Sequence, residues 1–132
     1  MENKVPKREE AAIEDTWRLE DIFPDTEAWE TELAKARMLA DETAAYEGRL
    51  SESADTLYDA LKKYDDCMLA LDHTGSYAFM KHDEDTANSA NQELSLKAQS
   101  AAVKISEKLS FAEPEILAIP EDVLARFYEE QP

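Results

Sequence analysis

Glycine and proline are almost absent from the middle of the chain, and that absence restricts the folds open to it. Glycine occurs only at Gly48 and Gly75, and the prolines are Pro6, Pro24, Pro114, Pro120 and Pro132. Because these residues are the strongest punctuation of turns and helix ends, residues 25–113 read as long uninterrupted segments. No run of strand length alternates apolar and polar residues. The sequence therefore predicts an all-α protein.

The first segment opens after Pro24, with Asp25 or Thr26 as N-cap and Glu27 where the helix dipole favours an anion. It runs to Tyr46-Glu47-Gly48, where Gly48 can take the left-handed conformation past a helix end. Trp29, Leu33, Ala36, Ala40 and Thr43 fall on one stripe. The second segment opens at Ser53, a good N-cap, and places Leu57, Leu61, Tyr64, Met68, Leu71, Gly75 and Ala78 on a heptad seam. Gly75 on that seam predicts close approach of another backbone. The third follows "DEDT", with Asp85 or Thr86 as cap, and carries Ala87, Leu94, Ala98, Ala101, Ile105 and Leu109 on a thin face suited to tight packing. Pro120, expected at the first helical position within "IPEDVLARFYEEQP", primes a short fourth helix. The expected architecture is an antiparallel bundle of three long helices plus a short C-terminal helix. Residues 1–24 form an extended leader, and residues 25–132 form a single helical domain.

Charge limits the partners. The 132 residues hold 14 basic and 31 acidic side chains, a formal net charge of -17. Such a surface repels phosphate backbones and anionic lipid, so neither nucleic acid nor membrane is an expected partner. No segment has the apolar length of a signal peptide core or a membrane span, which predicts a cytoplasmic protein. The lone Cys67 agrees with a reducing compartment, and with Asp65 and Asp66 beside it the thiol is expected to pack as a small hydrophobe.

One stretch looks reactive. "FMKHDEDTAN", Phe79 to Asn88, gathers His82 and three carboxylates, with His73 nine residues upstream. On one helix, nine residues turn the two imidazoles roughly 180° apart, so they cannot share an ion. His82 also lacks the i+4 histidine of a helical zinc site, and the stretch lacks the glycine of a calcium loop. Capping of the third helix accounts better for the carboxylates. There is no glycine-rich phosphate loop, no GxSxG, no HExxH and no CxxC.

Helices of roughly 33 to 45 Å in so slender a bundle leave a large surface for their volume, which would pack better against something else. Met38, Leu39, Tyr58, Leu69, Tyr77, Phe127 and Tyr128 lie off the main seams. They serve either a wide core-facing stripe or a second interface.

The runs "EDTWRLEDIFPDTEAWE" (Glu14 to Glu30), "AAYEGRL" (Ala44 to Leu50), "SADTLYDAL" (Ser53 to Leu61), "SYAFMKHDEDTAN" (Ser76 to Asn88) and "LSFAEPEILAIPEDVL" (Leu109 to Leu124) together resemble the N-terminal part of oligoendopeptidase F. The resemblance implies kinship with cytosolic zinc metallopeptidases of the thermolysin clan. These cleave oligopeptides internally and are almost wholly helical around an enclosed channel. The family's HExxH helix and the glutamate completing its zinc site lie far C-terminal, so no catalytic or zinc-binding residue carries over to a position here. Zinc is expected in the parent family and no cofactor in this chain, which alone would be inactive. The implied role is a lobe that covers the C-terminal catalytic domain and limits entry of oligopeptide substrate. Trp17, Phe23 and Trp29 around Pro24 would then be docking anchors, with Tyr77 and Phe127 as further interface candidates. The alternative is an independent acidic helical module that self-associates or binds another protein.

Overall fold

The computed structural model describes residues 4–132. The first three leader residues lie outside that range. Among the described residues the chain is all-helical and has no strand, as the punctuation requires. The leader is less extended than expected: three single 3-10 turns, Arg8–Glu10, Ile13–Asp15 and Leu19–Asp21, punctuate it.

Helix α1 spans Thr26–Ala44, and the Asp25 carboxylate accepts the Ala28 N–H at 2.8 Å. Each residue of its expected stripe, Trp29, Leu33, Ala36, Ala40 and Thr43, is buried. The helix stops at Ala44 and a turn continues to Gly48, which sits at φ 77°, the left-handed region glycine enters without steric cost.

Helix α2 spans Ala54–Glu84, and Ser53 caps it by accepting the Thr56 N–H at 3.1 Å. Its buried face is rotated from the expected seam. Ala60, Cys67, Ala70, Thr74 and Tyr77 are buried with Leu57, Leu71 and Ala78, whereas Leu61 and Met68 remain 40% and 37% exposed. The reason is that α1 is held against the small residues beside the heptad line. The Cys67 thiol, for example, donates to the Ala36 carbonyl at 3.2 Å. Nor does Gly75 mark a close backbone approach: a Cβ there would meet only a Phe79 ring carbon at 4.0 Å.

Helix α3 spans Ser89–Leu109. Its cap is Asn88, whose Oδ1 accepts the N–H groups of Ala90 and Asn91 at 3.0 and 3.2 Å, and not Asp85 or Thr86. Helix α2 runs on to Glu84 because that carboxylate is held by Lys81 and Arg8. Asp85 therefore becomes the C-terminal cap of α2, donating its N–H to the His82 carbonyl at 3.2 Å, and Ala87 falls in the turn. Asn88→Ala is expected to lower stability by about 1 kcal/mol. Asp85→Ala should cost about half of that or less, because the Asp85 side chain caps nothing; thermal unfolding of both variants checks the assignment.

Two short helices complete the fold. Helix α4, Ala112–Leu117, was not expected, and tolerates Pro114 because its ring lies in the first turn, where no intrahelical N–H is lost. Helix α5, Glu121–Glu130, begins one residue after Pro120 instead of on it. Three apolar clusters hold the elements together: Trp29 with Leu33, Tyr77 and Ala98; Ala36 with Cys67, Leu71 and Ile105; Leu50 with Leu57, Ile119 and Phe127.

Candidate functional site

The reactive-looking stretch resolves into a helix end and a turn. His73 and His82 both lie on α2, nine residues apart and so on opposite sides. Among the described residues no group of three or more His, Cys, Asp or Glu side chains is placed to hold a metal ion. The residues present thus do not fit the zinc centre that the family resemblance brings to mind. The Nδ1 of His82 is buried without a hydrogen-bond partner. Burial raises the pKa of the Cys67 thiol, so it stays protonated and packs.

What the structure does bring together are the leader and the bundle. Leu19 is buried, and the Phe23 ring meets Tyr77 edge-on with centroids 5.3 Å apart at 88°. The Arg8 guanidinium contacts the Glu84 carboxylate at 3.2 Å, behind a shallow cavity of about 240 Å³ that Trp17 also lines. Trp29 has no exposed surface, and its indole N–H donates to the Thr74 carbonyl at 2.8 Å. Of the five residues expected at an interface, Trp29, Tyr77 and Phe127 are instead part of this chain's own core, and Phe23 clamps the leader to it. Tyr77 and Phe127 fall off the expected seams because those seams were drawn one helix at a time, whereas Trp29 lies on the expected α1 stripe. Trp17 alone faces outward, at 51% exposed.

A second junction escaped sequence reasoning altogether. Glu115 on α4 accepts the N–H groups of Gly48 and Leu50 at 2.8 and 2.9 Å. Its carboxylate thereby satisfies two amides of the α1–α2 connection, some 65 residues earlier in the chain. The only available signal was that Gly48 and Leu50 belong to one of the runs that carry the family resemblance, "AAYEGRL", and Glu115 to another, "LSFAEPEILAIPEDVL".

Beside its many charges the surface also carries exposed apolar residues. Leu61, Met68 and Phe79 are exposed on α2 and Leu117 on α4, and Leu61, Tyr64, Ile116 and Leu117 line a groove of about 210 Å³ between these helices. Of the off-seam residues, Leu39, Tyr77 and Phe127 are core, whereas Met38, Tyr58, Leu69 and Tyr128 are exposed.

These features define an all-helical module whose ordered side chains build junctions and packing surfaces. No helix is long and apolar enough to cross a membrane. No family model matches the chain, and no solved structure does. Curated proteins do. The chain is 43% identical to oligopeptidase PepF of Bacillus subtilis over 125 residues, 95% of its own length and 19% of that protein's. It is 34% identical to group B oligopeptidase PepB of Streptococcus agalactiae over 88% of its length and 19% of the relative's. It is also 34% identical to the plasmid oligoendopeptidase F of Lactococcus lactis subsp. cremoris over 82% of its length and 18% of the relative's. The chain is thus similar to the N-terminal region of oligoendopeptidase F-type peptidases. It spans about a fifth of the length of the relatives it matches.

Proposed function

We propose that these residues form the N-terminal helical lobe of an oligoendopeptidase F-type peptidase, a covering element that packs on a C-terminal catalytic domain and limits which peptides reach it. The observation that carries this reading is 43% identity over 95% of the chain to a protein of which it spans only 19%. Two further facts support it: HExxH is absent from the sequence, and the described residues offer no metal-ligand cluster. Chemistry would belong to the remainder of the longer protein, where the family places zinc, and the substrates would be oligopeptides in the cytoplasm. A rigid helical cover sorts substrates by excluding folded protein, a role that needs stiff junctions and no reactive groups.

The test is cleavage of a fluorogenic oligopeptide. The 132-residue chain alone should show none, and a chimera in which it replaces the matching segment of the Bacillus subtilis oligopeptidase PepF should be active. Chelator-sensitive cleavage by the chain alone would overturn the reading. The exposed apolar face also suits a second reading, an independent module that self-associates. Sedimentation at several concentrations separates the two, because only self-association makes the apparent mass of the isolated chain rise with concentration.

A further inference from the structure

The accessible surface of the chain is 9129 Å². A globular monomer of 15.0 kDa should expose roughly 7,000 Å². The surplus of about 2,000 Å² exceeds the ~800 Å² that one partner contributes to a standard interface. Part of that surplus has a definite location. Leu61, Met68, Gly75 and Phe79 follow one another on α2 at spacings of seven, seven and four. At 100° per residue they lie within about 40° of each other, along the shoulder of α2 that α1 and α3 leave uncovered. Leu61, Met68 and Phe79 are 40%, 37% and 44% exposed, and the row opens at its lower end into the groove beside Ile116 and Leu117.

Such a heptad-spaced row, with a glycine in it, is the surface an additional helix fits by setting its side chains between those of α2. The charges beside it select the occupant. Asp65 and Asp72 are exposed along the outer edge of the row, and Glu113 lines the groove. Three of the bundle's lysines are drawn to α1 instead, Lys63 to Glu42, Lys97 to Glu30 and Lys108 to Asp41. We infer that the α2 shoulder from Leu61 to Phe79 is the docking face for an amphipathic helix with an apolar seam and Lys or Arg flanks. That helix comes from the four-fifths of the longer peptidase that this chain does not span. The inference rests on the lobe reading above and adds to it the face used and the chemistry of what covers it.

Thiol reactivity reads the face directly. Met68→Cys is placed on the row, Val103→Cys on the outer side of α3 is the control at 67% exposed, and the native Cys67 is buried. In the 132-residue chain both introduced thiols should react rapidly with a soluble disulfide reagent. In the full-length chimera, Met68→Cys should react at least ten-fold more slowly while Val103→Cys is unchanged. Adding Asp65→Lys and Asp72→Lys to that chimera should restore several-fold of the lost reactivity; no restoration overturns the basic flanks. An active chimera with Met68→Cys still fully reactive overturns the docking face and leaves the lobe reading standing. An inactive chimera with full reactivity overturns both. Protection that grows with concentration in the 132-residue chain alone would instead make a second copy the occupant, against the inference.

Discussion

Replacing Trp29 by alanine is expected to lower the unfolding free energy by about 3–5 kcal/mol, the largest loss of any single substitution considered for this chain. The side chain has no exposed surface, and it packs with Leu33, Tyr77, Ala78 and Ala98 where α1, α2 and α3 meet. Removing the indole leaves a cavity that helices on three sides cannot close without breaking other contacts. Its N–H also donates to the Thr74 carbonyl at 2.8 Å, a group already inside α2, while the Thr74 hydroxyl turns back to the carbonyls of Ala70 and Leu71. Trp29→Phe keeps most of the packing and gives up only the hydrogen bond, so it should cost about 1 kcal/mol. Urea unfolding followed by far-UV circular dichroism measures both. Native stabilities are only about 5–15 kcal/mol, so the alanine variant should be partly unfolded at physiological temperature. Equal losses for the two variants would mean that the hydrogen bond, and not the filled volume, holds the three helices together.

How much of this was legible in the sequence differs from helix to helix, for physical reasons. The stripe of α1 was read in full except for Leu39 at its edge, because the buried face of α1 is narrow and the 3.6-residue period records it directly. On α2 the same method drew the seam through Leu61 and Met68. This helix touches α1 and α3 on two adjoining faces and carries a third apolar row besides. Periodicity reports that a row is apolar and cannot report which row a neighbour occupies. The caps divided similarly. Ser53 follows a short polar connection and was unambiguous, and the proline break narrowed the first cap to Asp25 or Thr26, of which Asp25 is the cap. "DEDT" misled because Arg8, from a leader some 76 residues away, helps hold Glu84 in the helix that precedes it. Long-range contacts of that kind leave no local pattern. The family-like runs were the exception. They carry the family resemblance, and in the fold Phe23 of one run meets Tyr77 of another, and Glu115 of a third binds the amides of a fourth.

Glu115→Ala should therefore cost more than its half-exposed position suggests, about 2 kcal/mol. The carboxylate is the acceptor for both Gly48 and Leu50, and hydrogen bonds to a charged acceptor are worth about 1.5–3 kcal/mol when shielded and less when water competes. Gly48 is exposed, so its amide can turn to water at little cost. Leu50 is buried at 2% exposed among Ala54, Ile119 and Phe127, and its N–H has no such recourse. Most of the loss should arise at that one amide. Glu115→Gln retains one carbonyl oxygen and should recover about half of the difference, provided that the amide oxygen faces Leu50. The decisive measurement is hydrogen exchange. In Glu115→Ala the Leu50 amide should exchange much faster, with α4 and α5 loosened around Ile119 and Phe127, while amides near Trp29 in the separate upper cluster keep their protection. Uniform loss of protection along all five helices would show instead that the chain opens as one unit, and that Glu115 contributes to global stability and not to a local clasp.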